Sequence, residues 1–297
     1  MSDNIPFELQ EEIIKRVLPV KSLIRFRSVS KQWKSLIDSS EFITHHTLNN
    51  KTQPQHLLVR YITRATGHRV VSPDACLPEY KYVSIVDDDS FPHHNFSPVV
   101  PPTVKLHALP FMLDCSHGLV CLYGWTRDPV NRKKLVEVWN PLIGKSVCIE
   151  IPDRVRSVIG FGVCPKTSDP KIVKLSCFID SEAEAKAEVF TLSSRAWRSV
   201  PMNIPFKSLH FWNPQVVRDG VIHWLTYEKI TYKHRFYSFD LASEKFGEAG
   251  RYDGKLAVYE LYSERINGLG IYGSDFKLSS YKESLLLLNH SDSIIHS

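Results

Sequence analysis

Residues 136–152 read VEVWNPLIGKSVCIEIP: an apolar strand ends in an aromatic residue, a short polar turn follows, and a second apolar strand begins. The same pattern recurs as AEVFTLSSRAWRSVP at 187–201 and as RFYSFDLASEKFGE at 235–248. The steps between copies are 51 and 49 residues, measured between the aligned aromatic residues Trp139, Phe190 and Phe239. Apolar runs on either side of a polar turn indicate β-hairpins. The three segments are therefore interpreted as copies of one hairpin.

A second repeated element is a glycine followed by an alternating strand. It occurs as GLVCLY at 118–123, as GVIHWL at 220–225 and, more weakly, as GKLAVY at 254–259. Hairpin repeats near 50 residues long are typical of kelch-like β-propeller blades. One further step in each direction reaches Ile85–Asp89 and Leu285–Asn289, which predicts about five blades. An irregular β-sandwich with accidental spacing is the alternative.

The N-terminal residues follow a helical pattern instead. In FELQEEIIKRV at 7–17, apolar residues recur at helical spacing on a charged background. Pro19 interrupts this helix, because it supplies no N–H and clashes with the preceding turn, and a second short helix follows. Ser30 is the predicted N-cap of a third helix, in which Trp33 begins an i, i+3, i+4 apolar pattern. Three helices of this size bury too little surface alone, so a partner or neighbouring domain is expected to complete their core.

These patterns predict a multidomain α+β chain. A small three-helix module occupies residues 1–48, and an all-β, propeller-like domain occupies residues 49–297. Within the β-domain, DDDSFPHHNFSPVVPP at 87–102 has the proline and polar content of a loop, and RDPVNRKK at 127–134 is a basic loop between strands.

The composition is that of an ordinary globular protein. Hydrophobic residues make up 43% and charged residues 23%, which excludes wholesale disorder. The 37 basic and 32 acidic residues leave a net charge of +5, too small by itself to imply nucleic-acid binding. No apolar run approaches the ~20 residues of a membrane helix, and no signal region is evident at the start. Six cysteines without a C-x-x-C pair favour free thiols over disulfides or zinc, so the cytoplasm or nucleus is the expected location.

Residues 5–46 resemble an F-box, the motif with which a substrate receptor docks on the Skp-type adaptor of a cullin-based ubiquitin ligase. The resemblance rests on IP at 5–6, EII at 12–14, LPVKSL at 18–23, RFRSVS at 25–30 and the stretch 31–37 around Trp33. It implies an adaptor-binding apolar face made of Pro6, Ile13, Leu18, Pro19, Val20, Leu23, Val29 and Trp33. For Ile13 and for Leu36, packing between the helices is the alternative role. Val17 departs from the family pattern as an extra residue between the first helix and Leu18.

The remainder resembles the F-box-associated domain of the large plant families of such receptors. HGLVCL at 117–122 is similar to that family's Asn-Gly-Leu-Val-Cys-Leu strand, with His117 in place of asparagine. VWNPLIGKSVCIEIP matches its Trp-Asn-Pro turn, and GFGVCPKTSDPKIVKL at 160–175 matches its Phe-Gly-Tyr-Asp-Pro stretch, with Val163 and Cys164 departing. The chain looks short between Phe246 and the family-like YKESLLLL at 281–288. This shortening implies a ring that is either incomplete or closed by fewer blades, with a gap near 250–285 as the expected consequence.

Motifs for catalysis, metals and cofactors are absent from the sequence. There is no G-x-S-x-G elbow, P-loop or H-E-x-x-H, and the pair Gly160 and Gly162 lacks the third glycine of a dinucleotide site. The pairs His45-His46 and His93-His94 lack further ligands at metal spacing, and the acidic run 87–89 lacks the other positions of a calcium loop. No catalytic residue, cofactor or metal is therefore predicted.

The resemblance implies a non-catalytic substrate receptor. Its helices would hold the Skp-type adaptor, and through it a cullin, while its β-domain would hold an unidentified target protein; neither nucleic acid nor a membrane is an expected partner. The loops at 87–102 and 125–134 are the first candidates for target recognition, with plain solvated connections as the alternative. A propeller that binds a small ligand or acts as an enzyme is the second hypothesis. A degenerate protein that docks on the adaptor and recognises no target is the third.

Overall fold

The computed structural model of the 297-residue chain describes most of its helices and strands. The described residues are 5–17, 19–48, 55–62, 79–87, 95–108, 110–128, 130–151, 155–178, 185–205, 208–211, 215–251 and 274–295. Their helices are α1 (Phe7–Lys15), α2 (Val20–Phe26), α3 (Lys31–Ile37) and α4 (Ser40–Leu48). Strands follow the helices, so the predicted order of a helical module and a β-domain is confirmed.

A fourth helix, α4, corrects the predicted three-helix module. Its buried residues are Phe42, Ile43, His46 and Thr47, which recur at helical spacing. Two of these four residues are polar, so the stretch carries no continuous apolar stripe that a sequence pattern would detect. In the structure His46 stacks on Phe42 with ring centroids 6.5 Å apart, and Thr47 Oγ1 donates to the Ile43 carbonyl at 2.7 Å. The buried Thr47 hydroxyl thus has a hydrogen-bond partner, and the His46 ring is packed against Phe42.

The breaks between the first three helices lie where the sequence predicts them. Helix α1 ends at Lys15, and α2 begins directly after Pro19, which is its N-cap. Ser30 caps α3 as predicted, because its Oγ accepts the Trp33 N–H at 3.1 Å. The extra residue Val17 donates its N–H to the Ile14 carbonyl at 3.0 Å and packs against the hydrophobic core. The insertion is thus absorbed in a tight turn that follows α1.

The described strands form four sheets. In chain order they are β1 (Gln55–Ile62), β2 (Tyr80–Asp87), β3 (Asn95–Phe96), β4 (Phe111–Ser116), β5 (Leu119–Trp125), β6 (Lys134–Asn140), β7 (Lys145–Ile151), β8 (Val155–Val163), β9 (Pro170–Phe178), β10 (Lys186–Thr191), β11 (Ala196–Val200), β12 (Leu209–Phe211), β13 (Val216–Arg218), β14 (Val221–Glu228), β15 (Lys233–Asp240), β16 (Lys245–Arg251), β17 (Ser274–Lys282) and β18 (Ser293–Ile295).

We call the four sheets blades 1 to 4. Blade 1 has the strand order β17-β1-β2-β3, blade 2 has β4-β5-β6-β7 with β18 added beside β7, and blade 3 has β8-β9-β10-β11. In blade 4 the strands β12 and β13 both pair with β14, and β15 and β16 follow. Strand β4 contacts β8, β13 and β17, and β8 contacts β14. The first strands of the blades therefore meet one another, as they do in a propeller.

The three hairpins of the repeat occupy equivalent places. Each joins the third and fourth strands of its blade, and the aligned aromatic residue is the next-to-last residue of the third strand and is fully buried. Each turn is closed by a backbone hydrogen bond of about the same length: Gly144 N to Asn140 O at 3.0 Å, Arg195 N to Thr191 O at 2.9 Å and Glu244 N to Asp240 O at 2.8 Å. The donor residue has a positive φ in all three turns. This common geometry confirms the hairpin repeat.

The glycine element is a two-residue turn between the first and second strands of blades 2 and 4. The φ angles are 49° and 80° at His117 and Gly118, and 51° and 76° at Asp219 and Gly220. Positive φ at both central positions is the property of type I′ turns, which suit tight hairpins. Histidine tolerates this region better than most residues do, which explains why His117 can replace asparagine. The third copy, at 254–259, lies outside the described residues.

The described residues form four blades, so the predicted number of about five is not confirmed. The extrapolated unit at Leu285–Asn289 is a turn instead of a hairpin, so that part of the prediction is wrong. The other extrapolated unit, Ile85–Asp89, begins in β2, and its last two residues lie outside the described ones. The part of the predicted gap at 274–282 is filled, because β17 pairs with β1 from Gln55↔Lys282 to Ile62↔Ser274. Residues 252–273 lie outside the described part of the chain.

The segment after β17 is held against blade 2 by the Trp-Asn-Pro turn. Asn140 Nδ2 donates to the carbonyls of Ser284 and Leu286, both at 2.9 Å. Its Oδ1 accepts the Leu142 N–H at 3.1 Å, so one buried side chain closes the turn and holds the segment. Lys145 Nζ donates to the carbonyls of Leu288 and His290, at 3.1 and 2.6 Å. The segment then ends in β18, which pairs parallel with β7.

Polar side chains connect the first strands of the blades. Gln215 is buried and makes two hydrogen bonds to the backbone of Phe161 in β8, one to its N–H at 3.1 Å and one to its carbonyl at 2.6 Å. Asp114 in β4 accepts hydrogen bonds from the Cys115 N–H, the Val217 N–H and the Gln215 side chain. Burial raises the pKa of Asp114 to about 6, although these hydrogen bonds oppose the rise.

Replacing Asn140 with alanine is expected to lower the free energy of unfolding by about 3 kcal/mol, because two buried carbonyls lose their donor. Asp240→Ala is the matched control. Asp240 occupies the equivalent turn position in blade 4, where its Oδ1 accepts only from the turn residues Ala242 and Ser243 in the contacts identified. The control should cost about 1 kcal/mol. Urea denaturation followed by tryptophan fluorescence measures both, and equal losses would contradict the role of Asn140 in holding the C-terminal segment.

The raised pKa of Asp114 predicts a pH dependence of stability. In the folded chain the carboxyl titrates near pH 6, whereas its ordinary value is 3.8, so folding favours the protonated form. Asp114 therefore contributes most favourably to the free energy of unfolding below about pH 4, and this contribution declines as the pH rises from 4 to 6. Asp114→Asn cannot titrate. The stability of the native chain relative to this variant should fall over that interval, as measured by urea denaturation at each pH, and a constant difference would refute the assignment.

Candidate functional site

The helical module leaves several apolar side chains in water. We call them the exposed apolar set: Ile5, Pro6, Leu9, Ile13, Pro19 and Val29. Leu9 and Ile13 are 56% and 58% exposed and lie one turn apart on α1, so they share one side of that helix. Pro19 stands at the start of α2, and Val29 lies three residues beyond its end. Ile5 and Leu9 are additions to the face predicted from the sequence.

The structure divides the predicted adaptor-binding residues into three groups. Pro6, Ile13, Pro19 and Val29 are exposed, and Trp33 is half-buried. Val20 and Leu23 are 0% exposed and belong to the hydrophobic core, so their side chains are not accessible in this structure, and their contact with the adaptor stays a prediction. Leu18 lies outside the described residues.

Ile13 and Leu36, for which packing between the helices was the alternative role, differ in their burial. Ile13 points into solvent, whereas Leu36 is half-buried and packs against the same core as Val20 and Leu23. On α1 it is the next residue, Ile14, that is fully buried. Helical spacing identifies apolar stripes, but it does not show which stripe meets the rest of the chain and which remains free.

Hydrogen bonds through Gln10 join α1, which carries part of the exposed apolar set, to α3. Trp33 Nε1 donates to Gln10 Oε1 at 2.8 Å, and Gln10 Nε2 donates to the Ile5 carbonyl at 2.7 Å. The Trp33 ring also meets Phe26 edge to face, with centroids 5.4 Å apart. Trp33 therefore positions α1 and α2 as well as presenting part of its own surface.

A charge pair fixes the turn after α2 to the end of α3. Arg27 contacts both oxygens of Asp38, at 2.6 and 3.0 Å, and Lys34 Nζ contacts Asp38 Oδ2 at 2.7 Å. Burial alone would raise the pKa of Asp38, but the hydrogen bonds from Arg27 and Lys34 outweigh burial and lower it. The carboxylate is thereby kept ionised where it anchors the segment that carries Val29.

The helices are joined to the β-domain by a shared core and a polar junction. Ile14, Leu23 and Ile37 belong to one hydrophobic cluster with residues of blades 2 and 3 and with the Leu285–Leu288 turn. At the edge of this contact Lys21 Nζ lies 4.0 Å from Glu283 Oε1 and 4.2 Å from the centre of the Phe96 ring. Burial raises the pKa of Glu283, and Lys21 opposes that rise. The module therefore completes its core against the blades.

The loops predicted to recognise a target differ in how much of them is described. Residues 88–94 and 129 lie outside the described part, so only the ends of the first loop can be placed. In the second loop Val130 is almost wholly exposed. Arg132 and Lys134 both lie over the Trp125 ring, at 4.5 and 5.0 Å from its centre. This loop presents a basic and aromatic surface.

The described residues provide neither a metal site nor a membrane-spanning helix. Within them no group of three or more His, Cys, Asp or Glu side chains is arranged to hold a metal ion. Cys115, Cys121, Cys148 and Cys164 are free thiols, and burial raises the pKa of Cys121 and Cys148. A raised thiol pKa makes a cysteine a poor nucleophile at neutral pH. None of the described helices is long and apolar enough to cross a membrane.

The chain thus combines a small helical module, which carries the exposed apolar set, with a larger propeller-like β-domain on which the module packs. Comparison with known families agrees with this description. Residues 2–45 match the family described as "F-box domain", and residues 110–264 match the "F-box associated beta propeller domain". The second match alone covers just over half of the chain. The chain belongs to the family of plant F-box proteins that carry this propeller domain.

Three relatives from Arabidopsis thaliana illustrate the similarity. "F-box protein At2g21930" is 28% identical over 275 residues, and the match covers 87% of this chain and 64% of the relative. "Putative F-box protein At1g32420" is 28% identical over 254 residues, with 82% of this chain and 73% of the relative covered. "Putative F-box protein At5g62060" is 27% identical over 291 residues, with 95% of this chain and 75% of the relative covered. The chain thus spans about two thirds to three quarters of the length of these relatives.

The buried position of Leu23 and the exposed position of Ile13 predict effects of very different size on stability. Leu23→Ala should lower the free energy of unfolding by about 3 kcal/mol, because it opens a cavity in the shared core. Ile13→Ala should change it by about 0.5 kcal/mol or less, since this side chain is already largely in water. Urea denaturation followed by circular dichroism at the helix band measures both. A stable Leu23→Ala variant would show that the residue is not part of the core.

Proposed function

We propose that this chain is the substrate-recognition subunit of a cullin-based, SCF-type ubiquitin ligase. Its F-box helices would dock on a Skp-type adaptor, and through it on a cullin, while its propeller domain would hold a target protein. The observation that carries the proposal is the exposed apolar set. These side chains remain in water beside a core that is already complete, which is the property of a surface that a partner covers.

The structure supports a revised adaptor-binding face. Pro6, Ile13, Pro19 and Val29 keep the roles that the family resemblance implies, and Leu9 joins them because it lies one turn from Ile13. Trp33 would contribute its half-buried ring and would also hold α1 in place. Val20 and Leu23 would act from inside, since they fix α2 on the blades. Leu18 remains part of the prediction.

The proposed mechanism needs no catalytic group on this chain. A receptor accelerates ubiquitin transfer by keeping the target near the loaded enzyme, which raises the effective concentration of the target's lysines. A flexible link between the two binding surfaces would spread the target over a large volume. Here the helices share a hydrophobic cluster with the blades, so the two surfaces would keep a defined separation and orientation. The cytoplasm or nucleus is the proposed location, because six cysteines without a C-x-x-C pair favour free thiols.

The double variant Ile13→Ala, Val29→Ala should weaken adaptor binding at least about thirty-fold, because truncating a central apolar contact typically costs ~2 kcal/mol or more. Both residues are exposed, so the fold should be retained. Val130→Ala with Ile230→Ala is the matched control, since it removes two exposed apolar side chains from the β-domain. The measurement is a titration of the full chain with purified Skp-type adaptor.

Equal adaptor binding by the native chain and the helix variant would contradict the proposed docking face. Failure of the native chain itself to bind the adaptor would contradict the proposed function. Proximity labelling with the proteasome blocked then tests the target. A chain that binds adaptor but labels no protein whose abundance it controls would favour the degenerate receptor over the proposal.

A further inference from the structure

A cavity of about 540 Å³ lies between blade 1 and the segment that leads into blade 2. It is lined by residues at the end of β1 and the start of β2, by residues of the 97–110 segment, and by Arg127 just beyond β5. Ser97 and Pro98 belong to the loop at 87–102, and Arg127 belongs to the loop at 125–134. Both loops that the sequence identifies as candidates for target recognition therefore contribute to the lining.

Much of the lining is apolar and aromatic. Tyr61, Tyr80 and Val100 are half-buried, so each keeps accessible surface, and Pro98 and Pro110 are buried beside them. Tyrosine is among the residue types that contribute most of the binding energy at protein interfaces, because its ring offers a large and rigid contact surface. The lining is therefore suited to an apolar side chain of a protein partner.

Buried Arg60 connects three segments that form the cavity. Its side chain donates to the Pro110 carbonyl, and its guanidinium lies 4.7 Å from the centre of the Tyr80 ring. Arg60 lies on β1, Tyr80 begins β2, and Pro110 directly precedes β4. One buried side chain thus holds parts of the lining in place before a partner binds, which lowers the entropy cost of binding.

Cations surround the cavity and continue along the neighbouring loop. Those on the lining or on the loop at 125–134 are Lys81, Lys105, Arg127, Arg132, Lys133 and Lys134. The carboxylates of the same two sets of residues are Glu79 and Asp128. Asp128 Oδ1 accepts the N–H groups of Val130 and Asn131, so it shapes the loop itself. The excess of cations favours an acidic partner.

Backbone contacts join the cavity and this basic loop into one surface. The Arg127 N–H donates to the Leu106 carbonyl at 2.8 Å, and Arg127 Nε donates to the Lys105 carbonyl at 2.9 Å. The Trp125 carbonyl accepts the Ala108 N–H at 2.7 Å. The loop is therefore fixed directly beside the part of the lining that carries Lys105.

The arrangement of the cations favours an acidic peptide over nucleic acid. Nucleic-acid binding depends on many cations that neutralise successive phosphates. Here Lys133 pairs with Glu150 at 2.6 Å, and Lys134 is only 8% exposed. The exposed cations are Lys81, Lys105 and Arg132, and they lie around apolar and aromatic surface. Carboxylates on either side of an apolar side chain match this pattern.

We propose that the cavity and the adjoining basic loop bind an acidic peptide segment of the target protein. An aromatic side chain of the segment lies against Tyr61 and Tyr80, for which the cavity volume is ample. Carboxylates on either side of it face Lys81, Lys105 and Arg132. The proposal rests on the proposed receptor function and deepens it, because it names the chemistry of the target.

The test uses the full chain and labelled peptides of about nine residues, which span roughly 30 Å when extended. The first has a central phenylalanine flanked by glutamates, the second has serine in place of phenylalanine, and the third has lysines in place of the glutamates. Fluorescence polarisation should show the first peptide binding at least about ten-fold more tightly than either of the others. Equal binding of the three, or no binding of the first at millimolar concentration, would overturn the proposal.

A single-stranded oligothymidylate is the probe for nucleic acid. It should bind at least about ten-fold more weakly than the first peptide, because the surface lacks a continuous row of exposed cations. Binding as tight as that of the first peptide would overturn the proposal in favour of a nucleic-acid site.

A charge-reversal variant assigns the polar contacts. Lys81→Glu with Lys105→Glu should weaken the first peptide at least about ten-fold and strengthen the lysine peptide, because attraction becomes repulsion. Lys166→Glu with Lys229→Glu is the matched control, since it reverses two exposed lysines in blades 3 and 4 and changes the net charge equally. An equal loss of affinity in the control would show an effect of net charge alone and contradict the site.

Tyr61→Ala assigns the aromatic contact. It should weaken the first peptide about ten-fold and leave the serine peptide unchanged, since the ring serves only the apolar side chain. Circular dichroism checks that the variant is folded, and the charge-reversal pair tests the site independently because both of its lysines are exposed. An unchanged preference for phenylalanine over serine in folded Tyr61→Ala would contradict the proposed position of the aromatic side chain.

Adaptor binding distinguishes this site from the proposed function. Each variant should bind the Skp-type adaptor as the native chain does, because none of the changed residues lies on the helices. Failure of the native chain to bind the adaptor would overturn the receptor role, while the peptide titrations would still report on the cavity. Absence of peptide binding with normal adaptor binding would overturn this site and leave the receptor role standing.

Discussion

Burial of one side of the short N-terminal helices against the blades is the constraint on which the rest of the arrangement depends. Four helices of seven to nine residues have little interior of their own. Ile14, Leu23 and Ile37 therefore share a cluster with blades 2 and 3. With those side chains buried, no described residue covers the exposed apolar set on the helices. The exposed apolar set is a consequence of how the module completes its core.

The β-domain is built from repeated hairpins, and a few side chains depart from the repeat. The third-strand aromatic and the closed turn after it recur in blades 2, 3 and 4 with the same backbone geometry. In blade 2 the repeated turn has acquired a further task, because Asn140 also holds the C-terminal segment. Side chains that break the repeat, such as Asp114 and Gln215, lie where the first strands of different blades meet. The repeated hairpins form the blades, and the side chains that depart from the repeat connect the first strands of different blades.

The features predictable from the sequence are those with a local cause. The proline break at Pro19, the cap at Ser30 and the three hairpins each follow from residues close together in the chain. Helix α4 was not predicted, because the polar residues His46 and Thr47 interrupt the apolar stripe on its buried side. The burial of Val20 and Leu23 could not be predicted, since α2 has apolar residues suited either to a partner or to the blades.

The pairing of β17 with β1 sets an order of events in folding. The hairpins of blades 2 to 4 join neighbouring residues, so each can form as soon as its own segment has been synthesised. Blade 1 is different, because Gln55 pairs with Lys282. Such a contact closes a very long loop and forms slowly. Glu283, which meets Lys21 of the helices, directly follows that strand, so the helices acquire their full junction with the β-domain only after residue 283 has left the ribosome.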